Sequence, residues 1–344
     1  MWQERSGLKL RAVTRQAEHA STGAKILCFE LEEYAAKVMR EADCELLQTS
    51  RGSAKSSLLR YEGQQLAMHH NLLPGRTILR GAVDPDVLIL TLPLRWDGDY
   101  KRNGVLLKHP SLLVVEGDAC RSANNLDTLG FFFRKQPLVD AALALAGPGT
   151  QVRELGNIAI SGHPTELRSV VAQMHRFDQV VCPRVEALGL TENGDIHERR
   201  LTTEVVGLLS KLYGSSADVR RLDGTRHRIV RRAEERFEAA GEAPVSLADL
   251  CVAAGVSART LQYAFRDLYG MSPIQYFKVR RLHRARRTLK SAMPERSAVK
   301  RAALGAGLSD LGRFSVEYRA LFGQCPSATL TKSENRRGPL GAGS

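Results

Sequence analysis

A pattern written twice constrains this chain more than any other feature. Leu250-Cys251, three residues, Gly255-Val256-Ser257, then Leu261, Phe265, Gly270 and Pro273 return 52 to 53 positions later as Ala302-Ala303, three residues, Gly307-Leu308-Ser309, then Phe314, Tyr318, Gly323 and Pro326. Each copy predicts a helix, a tight turn on a glycine, a second helix capped by serine, and a closing Gly-x-x-Pro. That order of signals is the grammar of a helix-turn-helix.

In the first copy Ser246 is suited to the N-cap of a short helix whose apolar face is Leu247, Leu250, Cys251 and Ala254, and Gly255 to its left-handed end. Ser257 then caps a second helix with Leu261, Ala264, Phe265 and Leu268 inward. The outward face follows by arithmetic as Arg259, Gln262, Tyr263 and Arg266, spaced i, i+3, i+4 and i+7. Arginine can grip guanine O6 and N7 with two hydrogen bonds, and glutamine can do the same with adenine N6 and N7. A merely solvated surface has a similar composition; the place of this face on the second helix of the motif favours a major groove. In the second copy Ser309 is expected to cap a helix that buries Leu311, Phe314, Tyr318, Leu321 and Phe322. Gly312, Arg313, Val316 and Arg319 are left outward. Arg313 suits a base, Arg319 a phosphate, and Gly312 and Val316 offer shape or a thymine-methyl contact.

Between the copies, Ser272 to Ala292 predicts one long helix with Pro273 in its first turn. Ile274, Phe277, Leu282, Ala285, Leu289 and Ala292 fall in one arc, and Arg280, His283, Arg284, Arg286, Arg287 and Lys290 in the other. Arg281 falls within the apolar arc and reads as a structural ion-pair residue. The remaining cations are either solvated or turned toward phosphate. Some twenty helical residues span roughly 30 Å, close to the ~34 Å between successive major grooves on one face of DNA.

The charge follows the repeat. Of the formal +13, residues from Arg221 onward supply 23 Lys+Arg against 11 Asp+Glu, whereas residues up to Arg220 carry 27 against 26. A polyanionic partner is therefore expected for the C-terminal part alone. The first residues carry charge and no apolar leader region, and no apolar run is long enough for a bilayer, so a cytoplasmic protein without membrane contact is expected. Six cysteines, Cys28, Cys44, Cys120, Cys182, Cys251 and Cys325, show no C-x-x-C spacing and read as buried free thiols.

With 344 residues the chain divides into more than one core. Short apolar or alternating stretches at Lys25–Glu30, Ser57–Tyr61, Asp86–Leu94, Leu112–Glu116 and Leu129–Phe133 are punctuated by Pro74-Gly75, Asp84-Pro85, Asp97-Gly98 and Asn103-Gly104. This predicts an antiparallel sheet folded on itself, with one helix over Leu31–Glu41. Helical periodicity covers Pro164–Ala187 and Ile196–Tyr213, where Leu201, Val205, Leu208 and Leu212 form a stripe for packing within the domain or for dimerisation. Gly214–Gly224 reads as a linker, and the end of the chain as a disordered tail.

Ser272-Pro273-x-x-Tyr276-Phe277, Arg281-Leu282, Ala285-Arg286, Gly307-Leu308 and Phe322-Gly323-x-x-Pro326-Ser327 together resemble the signature of the AraC/XylS family of bacterial transcription regulators, over about Arg226 to Leu330. The resemblance implies base-reading positions at Arg259, Gln262 and Tyr263, and at Leu311, Gly312, Arg313, Ser315 and Val316. This disagrees with the projection that buries Leu311. With Ser257, Thr260, Arg266 and Arg319 these form the expected DNA-binding set. The sequence departs from the family pattern at Leu308, Gly312 and Val316. The implied fold is α+β and multidomain. Residues 1–160 form a β-rich, cupin-like regulatory domain, 161–222 a helical connector suited to dimerisation, and 223–330 an all-α domain with two helix-turn-helix motifs joined by the long helix; 331–344 are the tail. The weaker resemblance of the N-terminal half rests on its layout and the Trp96-Asp97-Gly98 turn. The implied function is an effector-responsive activator that reads two adjacent grooves with helices 258–269 and 310–322. Its partners would be double-stranded DNA, RNA polymerase, a small-molecule effector and a second copy of the chain, with no cofactor.

The competing reading is a β-barrel metalloenzyme or a DNA-repair protein carrying a DNA-binding module. A metal would need several His and carboxylate ligands converging. His69 and His70 point to opposite faces of a strand, and His109, His163 and His175 show no ligand spacing. No cysteine sits beside a histidine in a nucleophile motif. An RNA-binding or scaffolding protein fits the charge but leaves the two capped second helices without a role.

Overall fold

The computed structural model describes residues 23–30, 42–52, 55–107, 111–147, 150, 155–160, 165–187, 194–214, 219–222, 224–293, 295 and 297–330. The expected helix over 31–41 and the tail from 331 lie outside them, as do His109 and His163. The strands are β1 (Gly23–Glu30), β2 (Ala42–Gln48), β3 (Lys55–Glu62), β4 (Leu66–Val83), β5 (Val87–Arg102), β6 (Val105–Leu106), β7 (Leu112–Val115), β8 (Asp118–Arg134), β9 (Ile158–Ile160) and β10 (Val219–Arg221). They form one antiparallel sheet in the order β1-β3-β4-β8-β5-β7-β9-β10, with β2 added to β4 and β6 to β5.

Two expected turns are bulges. At Pro74-Gly75 the β4–β8 register slips between Leu73 and Arg76, and Gly75 sits at φ +71°. At Trp96-Asp97-Gly98 the β5–β8 register slips again, with Gly98 at φ +64°. Proline without an N–H and glycine at positive φ suit a bulge as well as a turn, so both strands bend without reversing. The first bulge makes one long strand of β4, which pairs with β3 before the bend and with β2 after it. The turns at Asp84-Pro85 and Asn103-Gly104 do reverse the chain, the latter with both residues at positive φ.

Helices α1 (Lys135–Ala146), α2 (Thr165–Ala187) and α3 (Gly194–Gly214) cover one face of the sheet. Leu129, Phe131 and Phe133 of β8 pack there with Leu138, Val170, Met174, Phe177, Leu201, Val205, Leu208 and Leu212. The Leu201–Leu212 stripe is thereby consumed inside the chain. The expected linker ends in β10, which pairs with β9, and Leu222 behind it is fully buried. His69 is buried against Phe132, and burial together with Arg60 lowers it to about 3, so it stays neutral. His70 faces the other way and bridges Asp127 and Asp178 at 2.8 and 2.9 Å, tying β8 to α2. Cys120 is buried, Cys44 and Cys251 are half-buried and Cys325 is exposed, so the expectation of buried thiols is corrected at the last three. No helix among the described residues is long and apolar enough to cross a membrane.

The C-terminal part is helical: α4 (Thr225–Ala239), α5 (Leu247–Ala254), α6 (Ala258–Tyr269), α7 (Pro273–Ser291), α8 (Ala298–Gly305) and α9 (Leu311–Phe322). It holds two cores. Val230, Phe237, Leu250, Leu261, Phe265 and Phe277 belong to one, and Leu282, Leu289, Ala302, Phe314, Tyr318 and Phe322 to the other, so α7 contributes to both.

Candidate nucleic-acid interface

The caps fix the first helix pair. Ser246 Oγ accepts from the Asp249 amide at 3.1 Å while Asp249 accepts from the Ser246 amide at 2.9 Å, and these bonds hold the Asp249 carboxyl below its usual range. Gly255 ends α5 at φ +66°, and Ser257 Oγ accepts from the Thr260 amide at 3.2 Å to start α6. Leu261, Ala264, Phe265 and Leu268 are buried, as the periodicity predicts. Arg259, Gln262, Tyr263 and Arg266 stand exposed on the opposite face, with Ser257 and Thr260 exposed at its start. Arg259 lies over Tyr263, its guanidinium 5.4 Å from the ring centroid and Nη2 donating to the phenol oxygen at 3.2 Å. The ring thus restrains the arginine at low entropic cost while leaving its other donors free for an edge contact.

The second pair departs from expectation at its cap. Asp310, not Ser309, begins α9, its Oδ1 accepting from the Arg313 amide at 3.0 Å. A carboxylate one residue later meets the same orphan amides and adds negative charge at the positive end of the helix dipole. Leu311 becomes the first helical residue and is 36% exposed, so the projection that buried it is corrected. Gly312, Arg313, Ser315, Val316 and Arg319 are exposed as well. Ser315 spends its hydroxyl on the Leu311 carbonyl at 2.9 Å. Arg313 donates from Nε to Glu317 at 2.9 Å, and Lys278 of α7 reaches the same oxygen at 2.9 Å. Partial burial opposes the charge on Glu317, but the bonds from Lys278 and Arg313 hold its carboxyl below the usual range. The sequence reading passed over Glu317, although an arginine four residues before a glutamate on a helix is a visible signal.

The cationic arc of α7 is largely inside. Arg280, His283 and Arg286 are buried, at 6%, 0% and 3% exposure. Arg280 and Arg287 donate to Glu45 of β2 at 2.9 and 3.0 Å, and His283 Nε2 donates to the Gln48 carbonyl at 2.9 Å. Arg286 stacks on Phe322, 4.4 Å from its centroid. A projection onto a single helix assigns two faces; α7 has the sheet, α4 and α9 around it, so Arg280, His283 and Arg286 are turned inward, while Arg287 stays exposed and Arg284 and Lys290 half-buried. Conversely, Ile274, placed inward by projection, is 53% exposed. Arg281 is structural but bonds carbonyls, those of Gly307 and, at 3.1 Å, Ala243, rather than a carboxylate.

The sheet touches α6, α7 and α9. Ser122 donates to the Leu268 carbonyl at 2.8 Å, and Leu47, Ile78 and Cys120 pack into the core of the first helix pair. Glu45 holds α7. Gln48 Nε2 and the Gly52 amide both donate to the Leu321 carbonyl of α9 at 3.1 Å. None of these contacts has a signature in local periodicity.

Residues 250–332 match a family described as a helix-turn-helix domain. Over 102 residues the chain is 36% identical to the probable thc operon regulatory protein of Rhodococcus erythropolis, covering 30% of this chain and 31% of that protein. Over 104 residues it is 33% identical to the XylDLEGF operon transcriptional activator 2 of Pseudomonas putida, covering 30% of this chain and 64% of that one. A solved probable AraC family transcriptional regulator from Rhodopseudomonas palustris is 36% identical over 96% of its length and 30% of this chain, with a TM-score of 0.28. Over this segment the chain is similar to regulators of the AraC/XylS family. The match spans less than two thirds of the length of these curated relatives and is confined to the helical part. Within that part the AraC/XylS positions expected to read bases coincide with the exposed faces of α6 and α9, including Leu311, and the departures at Gly312 and Val316 leave the α9 face poorer in donors.

Proposed function

We propose that the chain is an effector-responsive, sequence-specific DNA-binding activator of transcription whose α5–α6 and α8–α9 pairs act as two helix-turn-helix heads entering adjacent major grooves. The observation that carries the reading is the α6 face. Arg259, Gln262, Tyr263 and Arg266 stand in register on a capped second helix, inside the segment that matches the helix-turn-helix family. Arg259 and Gln262 supply bidentate donors and acceptors for purine edges, and Arg266 a phosphate contact, with Ser257 and Thr260 at the helix start beside the backbone. On α9, Arg313 reads a base, Leu311, Gly312, Ser315 and Val316 fit groove shape and thymine methyls, and Arg319 meets phosphate.

In this reading residues 1–160 form a cupin-like regulatory domain that binds a small molecule, 161–222 brace it, and 223–330 read DNA. The sheet, by gripping α6, α7 and α9 together, sets the spacing of the two heads, and effector binding acts through that grip. RNA polymerase is the partner that activation requires, and a homodimer would form through surfaces other than the buried Leu201–Leu212 stripe. The protein works in the cytoplasm, with no catalytic step. Mapping bound sites across the source genome tests the proposal: discrete peaks at promoters are expected, and uniform occupancy that follows DNA content alone would contradict it.

A further inference from the structure

Val316 is a large apolar side chain where neither packing nor helix formation asks for one. It is 70% exposed, while α9 buries Phe314, Tyr318, Leu321 and Phe322 on its other side. A β-branched residue at an exposed helical position is a poorer helix former than alanine. The same branching leaves the side chain one preferred χ1 in a helix, so two methyl groups are held at a fixed place on the surface with little entropy to lose on contact.

The surroundings of Val316 are poor in free hydrogen-bonding groups. At 3.6 residues per turn Val316 projects opposite the buried row, and Arg313 and Arg319, three residues before and after it, lie about 60° to either side. Ser315 donates its one proton to the Leu311 carbonyl at 2.9 Å and can otherwise only accept. Gly312, one turn before the valine, leaves open space: a Cβ there would meet nothing nearer than Asp310 Oδ1, at 3.6 Å. Arg313 is tied through Nε to Glu317 at 2.9 Å, and Arg319 is exposed. The face is thus apolar at its centre and cationic on both flanks, unlike α6, where Arg259 and Gln262 offer hydrogen bonds. Cationic flanks suit the negative potential of a duplex groove, and the apolar centre suits an apolar group within it. At a base edge in the major groove that group is the C5-methyl of thymine. Cytosine carries hydrogen at the same carbon, and 5-methylcytosine carries the same methyl group in the same place.

We propose that α9 reads the C5-methyl group of a pyrimidine through Val316, so that thymine and 5-methylcytosine are equivalent at one position of its half-site and cytosine there is bound better when methylated. Methylation of the DNA then regulates binding wherever cytosine occupies that position. The inference rests on the reading that α9 enters a major groove, and goes beyond it in naming the group recognised and in making binding responsive to modification of the DNA.

The full chain is tested on a duplex that it selects from a random library. Each thymine is replaced singly by deoxyuridine, which deletes the methyl group alone, and each T·A pair by a C·G pair with and without the C5-methyl group. Equilibrium binding is measured at fixed salt. The half whose preference relaxes in Arg259→Ala belongs to α6, and the other to α9. In the α9 half one thymine should lose about fourfold in affinity on conversion to deoxyuridine, and cytosine at that position should gain about fourfold on methylation, the scale of one methyl group removed from water. Val316→Ala, which favours the helix, should erase both differences, with its fold checked by circular dichroism. Deoxyuridine without effect throughout that half, 5-methylcytosine bound no better than cytosine, or a methyl preference unchanged in folded Val316→Ala would overturn the proposal. The last result together with lost activation of transcription would assign Val316 to a protein partner instead. A selected duplex whose other half follows Arg259 while this half ignores methyl groups overturns this inference alone. Selection of no sequence at all overturns the DNA-binding reading and this inference with it.

Discussion

Arg280 and Glu45, 235 residues apart in the chain, meet with Nε and Nη2 of the arginine 2.9 and 2.8 Å from one carboxylate oxygen. Arg287 holds the other oxygen at 3.0 Å. Burial alone would raise the Glu45 carboxyl, but Arg280, Arg287 and Arg80 bring it from 4.5 down to about 2. Folded-state depression of a carboxyl contributes stability above its free value that is lost as pH falls through the folded one. The grip of β2 on α7 should thus be constant at neutral pH and weaken only between 4.5 and about 2. Glu45→Gln should cost about 2–4 kcal/mol, since Arg280 and Arg287 then lose a buried counter-charge. It should also flatten the acid limb of stability against pH, read by denaturant titration across that window. An acid limb identical to that of the unaltered chain would exclude Glu45 as its source.

What the sequence made legible and what it hid divide along the range of the interactions. The caps at Ser246 and Ser257, the inward row Leu261–Leu268 and the outward row Arg259–Arg266 are set within a dozen residues, and they stand where periodicity put them. Leu311 and Arg280 were misplaced because a helical projection knows nothing of a cap shifted to Asp310 or of a strand lying across α7. Pro74-Gly75 and Asp97-Gly98 misled for a different reason: the same residues make a turn or a bulge, and only the strand alongside decides which.

The glycines that open the two turns are not equivalent. Both have left-handed φ, +66° at Gly255 and +72° at Gly307. A Cβ on Gly255 would meet nothing nearer than Arg232 at 4.0 Å, whereas on Gly307 it would stand 2.9 Å from the Glu242 carbonyl oxygen, which is backbone. Gly255→Ala should cost about 1–2 kcal/mol, the strain of an L-residue there, and Gly307→Ala clearly more. Thermal denaturation of both variants compares them; equal losses would mean that the Glu242 backbone yields freely.

Glu317 restrains the one arginine of α9 suited to a base. Glu317→Gln removes a negative charge from the outward face and frees Arg313 and Lys278, which it now bonds. Affinity for DNA of any sequence should rise, and the slope of log affinity against log salt should steepen by about 1. Binding isotherms at several salt concentrations measure this. An unchanged slope would place Arg313 and Lys278 away from phosphate.

The two ends of the interface should separate by kind of effect. Arg259→Ala should weaken specific binding by about 1–3 kcal/mol and relax preference at one base position, while Arg319→Ala should weaken all sequences alike. Competition assays on the preferred site and its single-base variants distinguish the two. An unaltered preference in Arg259→Ala would remove the α6 face from the groove.

The most direct measurement is a hydroxyl-radical footprint of the full chain on duplexes that it selects from a random library. Two heads held by one sheet and one helix should select a bipartite site and protect two patches about 10–10.5 base pairs apart on the same face of the DNA. One protected patch, or two patches whose spacing varies freely among the selected sites, would contradict a fixed two-groove reader.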